Sequence, residues 1–180
     1  MKNVNPLVWQ HGGLAGALIV VMLLVGYLSG PQFMVSTTMS LVQGGVLLFA
    51  MIFSGVQIRK DLGGFWSFGQ AFLHAMLTTA VVLAVSGIFS IILYNFIAGP
   101  DFIDSMVRSV QDKTIESMSA FGAPQSMIDE VQETLEIELR KGFSVGGLLQ
   151  GLVWNLLFWA IPALIVAAVL KRNPENEFIK

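Results

Sequence analysis

Four long stretches without a single Asp, Glu, Lys or Arg dictate what this chain can fold into: Leu14–Leu28, Leu41–Ile58, Ala71–Ala98 and Phe143–Leu170. A helix crossing a hydrocarbon core about 30 Å thick needs about 20 residues, each rising about 1.5 Å. The last two stretches exceed that length. The second reaches it once Val35–Ser40 is added, and the first with Gly12, Gly13 and the flanking turn. Only 12% of the 180 residues are charged, against about 25% in a typical soluble domain. The chain therefore reads as a single all-α, polytopic membrane domain with four transmembrane helices.

Local signals set the limits of these helices. The first span is expected over about 9–28, stopping at Ser29-Gly30-Pro31, where Gly and Pro end a helix. No small-x-small cleavage site follows Tyr27, so this span reads as retained rather than as a removed signal peptide. The second runs over about 35–58 and ends at Arg59-Lys60-Asp61 before Gly63-Gly64. Ser67 and Gln70 form an S-x-x-Q capping box that opens the third span, about 67–98. The fourth, about 144–170, contains Pro162, which removes a backbone donor and should bend the helix.

Residues 101–141 differ in kind. They hold nine of the twelve acids and four of the ten bases, a local charge of −5. Ile103, Met106, Val107, Val110, Thr114 and Met118 fall on one stripe of a helix, with Asp104, Arg108, Asp112 and Glu116 opposite. Asp101 is the expected N-cap. After Phe121-Gly122-Ala123-Pro124, with Pro124 expected in the first helical turn, Ile128, Val131, Leu135 and Leu139 form a second stripe. Asp129, Glu133, Glu136 and Arg140 line another face. The segment reads as an extramembranous amphipathic helical hairpin, its stripes packing on each other or on the outer ends of the third and fourth spans.

Positive charges give the orientation. With both termini inside, Lys2, Arg59, Lys60, Lys171, Arg172 and Lys180 lie in the cytoplasm, while Arg108, Lys113, Arg140 and Lys141 are spread through the acidic hairpin. This satisfies the positive-inside rule and puts the hairpin outside a bacterial inner membrane.

Ionisable residues inside a membrane helix mark function, and these spans offer only histidines. His11 and His74 are expected towards the cytoplasmic face. As a pair they could share a metal or a proton, but two ligands with only Asp61 in reach make a poor site, so they read as interfacial histidines. Gln43, Asn95, Gln150 and Asn155 are the remaining intramembrane cluster. They could form a polar pocket for a small solute, but interhelical hydrogen bonding is the favoured reading, each bond contributing about 0.6–2 kcal/mol in lipid. Gly12/Gly16, Gly26/Gly30, Gly142/Gly146 and Gly147/Gly151 are small-xxx-small pairs that allow close helix approach. Trp9, Phe65 and Trp66 read as interfacial anchors, and Trp154 and Trp159 as residues packed within the bundle.

No phosphate loop, H-E-x-x-H, G-x-S-x-G or calcium loop is present. The chain has no Cys, and both histidines are expected on the side away from the acidic hairpin, so no catalytic set, metal site or cofactor site is assigned. A net charge of −2 gives no reason to expect nucleic acid.

The ordered set of features resembles a known family. It comprises the basic and Gly-rich turn Arg59 to Gly64, the aromatic-Ser-Phe-Gly-x-Ala run from Trp66 to Ala71, and a long third helix ending in Tyr94 and Asn95. Pro100-Asp101-Phe102 and a Pro-containing last helix closing on Leu170-Lys171-Arg172 complete it. This pattern is similar to the small membrane proteins of Bacteroidota-type bacteria grouped as domain-of-unknown-function family 4199. The resemblance implies an inner-membrane location and four spans, and supplies no activity or site residues. Two functions stand as expectations. The first is a non-enzymatic scaffold or accessory subunit whose acidic hairpin meets a membrane or periplasmic partner. The second is a homo-oligomeric transporter or channel for a small solute.

Overall fold

The computed structural model describes residues 6–172 and is helical, without strands among them. Lys2 and Lys180, two of the charges that set the expected orientation, lie outside the described residues, as does the Glu133 side chain. The spans are α1 (Pro6–Ser29), α3 (Thr37–Asp61), α4 (Phe68–Ile92, extended by a π turn over Leu93–Ile97) and α7 (Val145–Leu170). All four are long and apolar enough to cross a membrane. Between α1 and α3 sits a single helical turn, α2 (Pro31–Met34), where the sequence suggested only a loop. Gly30, with φ +100°, makes the reversal that lets Pro31 open it.

The expected caps are present where the chemistry is local. Ser67 accepts from the Gln70 amide and its own N–H donates to the Gln70 side chain, completing the capping box. Ser144 caps α7 by accepting from Gly147 N at 3.1 Å. Two assignments change. Asp101 is not an N-cap: Gly99 holds that place and Pro100 is the first helical residue, because Pro needs no donor there. Pro124 is likewise one residue outside α6 (Gln125–Phe143) rather than within its first turn.

α4 is the hub, packing against α1, α3 and α7. Its buried face is Ala71, His74, Ala75, Thr78, Thr79, Val82, Ser86 and Gly87, small residues that let neighbouring backbones come close. The hydroxyls of Thr78, Thr79 and Ser86 donate to the carbonyls of His74, Ala75 and Val82 at 2.9–3.0 Å. These hydroxyls are thereby satisfied within α4, so its contacts with α1 and α7 rest mainly on shape. Gly12 and Gly16 of α1 receive Val81 and Val85; a Cβ on either glycine would lie 2.9 or 2.7 Å from the valine Cβ. Gly87 receives Leu152 of α7 in the same way, at 2.6 Å.

The end of the bundle away from the hairpin is closed by the chain itself. Trp66, which follows the α3–α4 turn, exchanges two backbone hydrogen bonds with Arg172 beyond α7, at 3.0 and 2.9 Å. Trp66 is only 4% exposed, so it is a core residue rather than an interfacial anchor. Leu170 reaches over Gly55, where an added Cβ would meet it at 2.5 Å.

At the other end α5 (Pro100–Ala120) and α6 form the hairpin and pack on each other. Met106, Val107 and Ile128 from the two apolar stripes are buried. α5 also rests on α2, while α6 meets the start of α7 and, through Phe143, the outer end of α4. The short α2 makes the first of these contacts possible, since it offers a ledge at the hairpin end. Gly147 is needed where α6 turns into α7, because a Cβ there would lie 2.1 Å from the Lys141 carbonyl oxygen.

Gly16→Leu should cost about 1–3 kcal/mol by overpacking against Val85. Gly13→Leu, which meets nothing within 4 Å, should leave stability nearly unchanged. Thermal unfolding midpoints in one detergent would compare them, and equal midpoints would contradict the α1–α4 contact.

Candidate functional site

The polar side chains within the spans divide into two separate places. The first is a buried pair in the half of the bundle away from the hairpin. Ser54 of α3 and His74 of α4 are joined through Oγ and Nε2 at 2.8 Å. The Trp66 ring lies 5.4 Å from the imidazole, covering it. His74 is therefore not an interfacial residue but part of the core. His11 lies on α1 with its Nδ1 2.9 Å from the Leu7 carbonyl and its ring edge-on to Phe53 at 5.3 Å. Among the described residues, no three His, Cys, Asp or Glu side chains come together as a metal-sized group.

The second place is a cleft of about 580 Å³ in the half of the bundle nearer the hairpin. It arises because α3 and α7 meet at Gly44 and Trp159 and again where Leu170 covers Gly55, but stand apart above that level. Ile19 and Leu23 of α1, with Ser86 and Ser90 of α4, form its floor. Gln43 projects from one wall and Asn155 from the other. Gly147 and Gly151 of α7 widen it, since neither carries a side chain into the space.

Of the four amides expected to form one cluster, only Gln43 and Asn155 share this cleft. Asn95 is engaged elsewhere: its side-chain N–H₂ donates to the Ile91 carbonyl at 3.1 Å and to the Phe143 carbonyl at 3.3 Å. That contact ties the π turn of α4 to the end of α6, an interhelical role of the kind expected. Gln150 is exposed and lines no part of the cleft. Trp154, expected to pack within the bundle, is 64% exposed on the lipid side, whereas Trp159 packs against the core and closes the lower end of the cleft. Ser40, Ser86 and Ser90, which the sequence reading did not single out, complete the polar lining.

Outside the spans, the hairpin is held firmly to the bundle. Tyr27 of α1 packs on Phe102 at 4.7 Å, and Tyr94 on Phe143 at 5.1 Å. Lys113 donates to the Val35 carbonyl beside α2. Arg140 bonds Asp104 at 2.6 Å across the hairpin and Glu136 at 3.0 Å along α6. The hydrogen bonds to Asp104 and then Glu136 raise the already high pKa of its guanidinium. These are the ion pairs among the described residues, so the exposed Asp112, Glu116, Asp129 and Glu130 carry charge towards the tip with no paired cation. At the tip Phe121 is 92% exposed.

Removing the Ser54 hydroxyl would leave the imidazole without its partner in the core. Ser54→Ala should lower stability by about 1–3 kcal/mol, and the same change in a His74→Leu background should cost clearly less. A double-mutant cycle in detergent reads the coupling; additive losses would contradict the pair.

A family model described as a protein of unknown function (DUF4199) matches residues 10–172. No curated protein and no solved structure matches the chain.

Proposed function

We propose that this chain, which belongs to the protein family of unknown function DUF4199, is a non-enzymatic membrane scaffold or accessory subunit that meets a partner through its acidic hairpin. One observation carries this reading: a hairpin fastened to the bundle leaves a bare aromatic ring and unpaired carboxylates at its free end. A fixed surface loses little conformational entropy on binding, so Phe121 and its neighbours are suited to act as an anchor. The partner that fits is a basic surface with an apolar recess for Phe121. Charge from Glu116, Asp129 and Glu130 would steer the encounter, and the ring would slow dissociation.

The accompanying topology is a bacterial inner membrane with both termini in the cytoplasm and the hairpin on the opposite face. Arg59, Lys60, Lys171 and Arg172 at one end of the bundle support it under the positive-inside rule.

A photo-crosslinking residue at position 121, used in native membranes, should give one discrete adduct. That adduct should fade severalfold with Asp129→Asn/Glu130→Gln or with added salt. A diffuse pattern, or an adduct indifferent to those changes, would overturn the reading. The chain has no Cys, so single cysteines can report topology directly. Ser119→Cys should react with an impermeant maleimide once the outer barrier is permeable, and Lys171→Cys only after the inner membrane is broken. The reverse order would invert the topology.

A further inference from the structure

We propose that the cleft between α3 and α7 binds the uncharged head of a neutral glycerolipid, of the diacylglycerol type, drawn from the leaflet on the hairpin side. The argument starts with unmet hydrogen bonding. Neither Gln43 nor Asn155 makes a hydrogen bond among the described residues. Both lie at membrane depth: Gln43 is about 9 Å of helix below the start of α3, and Asn155 about 15 Å below the start of α7. Amides in hydrocarbon without partners are costly, so whatever fills the cleft must hydrogen-bond to them.

The size and shape narrow the occupant. A volume of about 580 Å³ is far above the roughly 30 Å³ share of one structural water and within the range of about 300–1,000 Å³ of small-ligand sites. Along α7 the cleft runs from Gly147 to Trp159, about 18 Å of helix axis, close to the roughly 15 Å depth of one leaflet. It stops there because Trp159 meets Gly44 and the two helices then converge. Such a groove fits a molecule lying in one leaflet, entered sideways between α3 and α7.

The chemistry narrows it further. No Lys or Arg is among the lining residues, so nothing in the cleft would neutralise a phosphate. The hydroxyl protons of Ser86 and Ser90 are already donated to carbonyls at 2.9 Å each, and that of Ser40 to the Ser36 carbonyl at 3.3 Å. Free donors are therefore the two amide N–H₂ groups, and free acceptors are the amide and hydroxyl oxygens. A diacylglycerol brings the complement, two ester carbonyls to accept and one hydroxyl to donate, and without a charged headgroup it can sink to this depth. The groove between α1 and α3 makes a useful contrast. It has a similar volume but only His11 as a polar lining side chain, and any acyl chain could fill it.

The test uses the full chain in phosphatidylcholine nanodiscs, with Trp9→Phe and Trp154→Phe so that Trp66 and Trp159 remain. Trp159 borders the cleft and Trp66 is buried at the far end. Chain-brominated dioleoylglycerol at low mole fraction should quench saturably, beyond the same fraction of brominated phosphatidylcholine. The excess should be lost in Gln43→Leu/Asn155→Leu. It should also be lost in Gly151→Phe, a change into open space that the fold should tolerate. Equal quenching by the two lipids, or an excess untouched by either variant, would overturn the proposal. Displacement by soluble glycerol would also overturn it, in favour of a small polar solute. Disulfide-linked dimers of Gly151→Cys that form in place of lipid binding would overturn it in favour of a second copy.

Discussion

The approach of three helices to α4 is the constraint on which the rest of this structure depends. In lipid no hydrophobic force drives helices together, so association rests on close fit and satisfied polar groups. α4 supplies both. Its threonines and serines return their hydroxyl protons to their own helix, and its buried side chains are small. Gly12, Gly16 and Gly87 then let α1 and α7 interlock with it through Val81, Val85 and Leu152. α3 is held differently, by the Ser54–His74 bond and by Trp66 and Leu170 near one end. The cleft follows from that difference: α3 is secured to α7 at one end and free of it at the other.

What could be read from the sequence was what local chemistry decides. Uncharged length gave the spans, Ser67 and Gln70 gave a cap, and the spacing of Met106, Val107 and Ile128 gave the buried stripes of the hairpin. The candidate site was less legible because it depends on which way each helix is turned. Gln150 and Asn155 are five residues apart, about 140° around a helix, and so cannot share a face. The same interval separates Trp154 from Trp159, and one faces lipid while the other closes the cleft. That much was available from spacing. The depth of His74 was not, because it depends on the Trp66–Arg172 pairing between residues more than a hundred positions apart. α2 was equally hidden, since four residues give no periodicity to detect.

The hairpin and the cleft are physically adjacent. Gly142, near the end of α6, lies on the rim of the cleft, and the turn into α7 follows within a few residues. Asn95 and Tyr94 hold the same junction from the side of α4. The base of the hairpin, not its acidic tip, therefore borders the mouth of the cleft.

The paired backbone bonds of Trp66 and Arg172 have a mechanical meaning as well. They pin α7, about 39 Å long, at the far end of the bundle, while Leu152 seats it on Gly87 of α4 nearer the hairpin. Since only Ser144 separates α6 from α7, one wall of the cleft and the acidic helix are successive lengths of a single anchored rod.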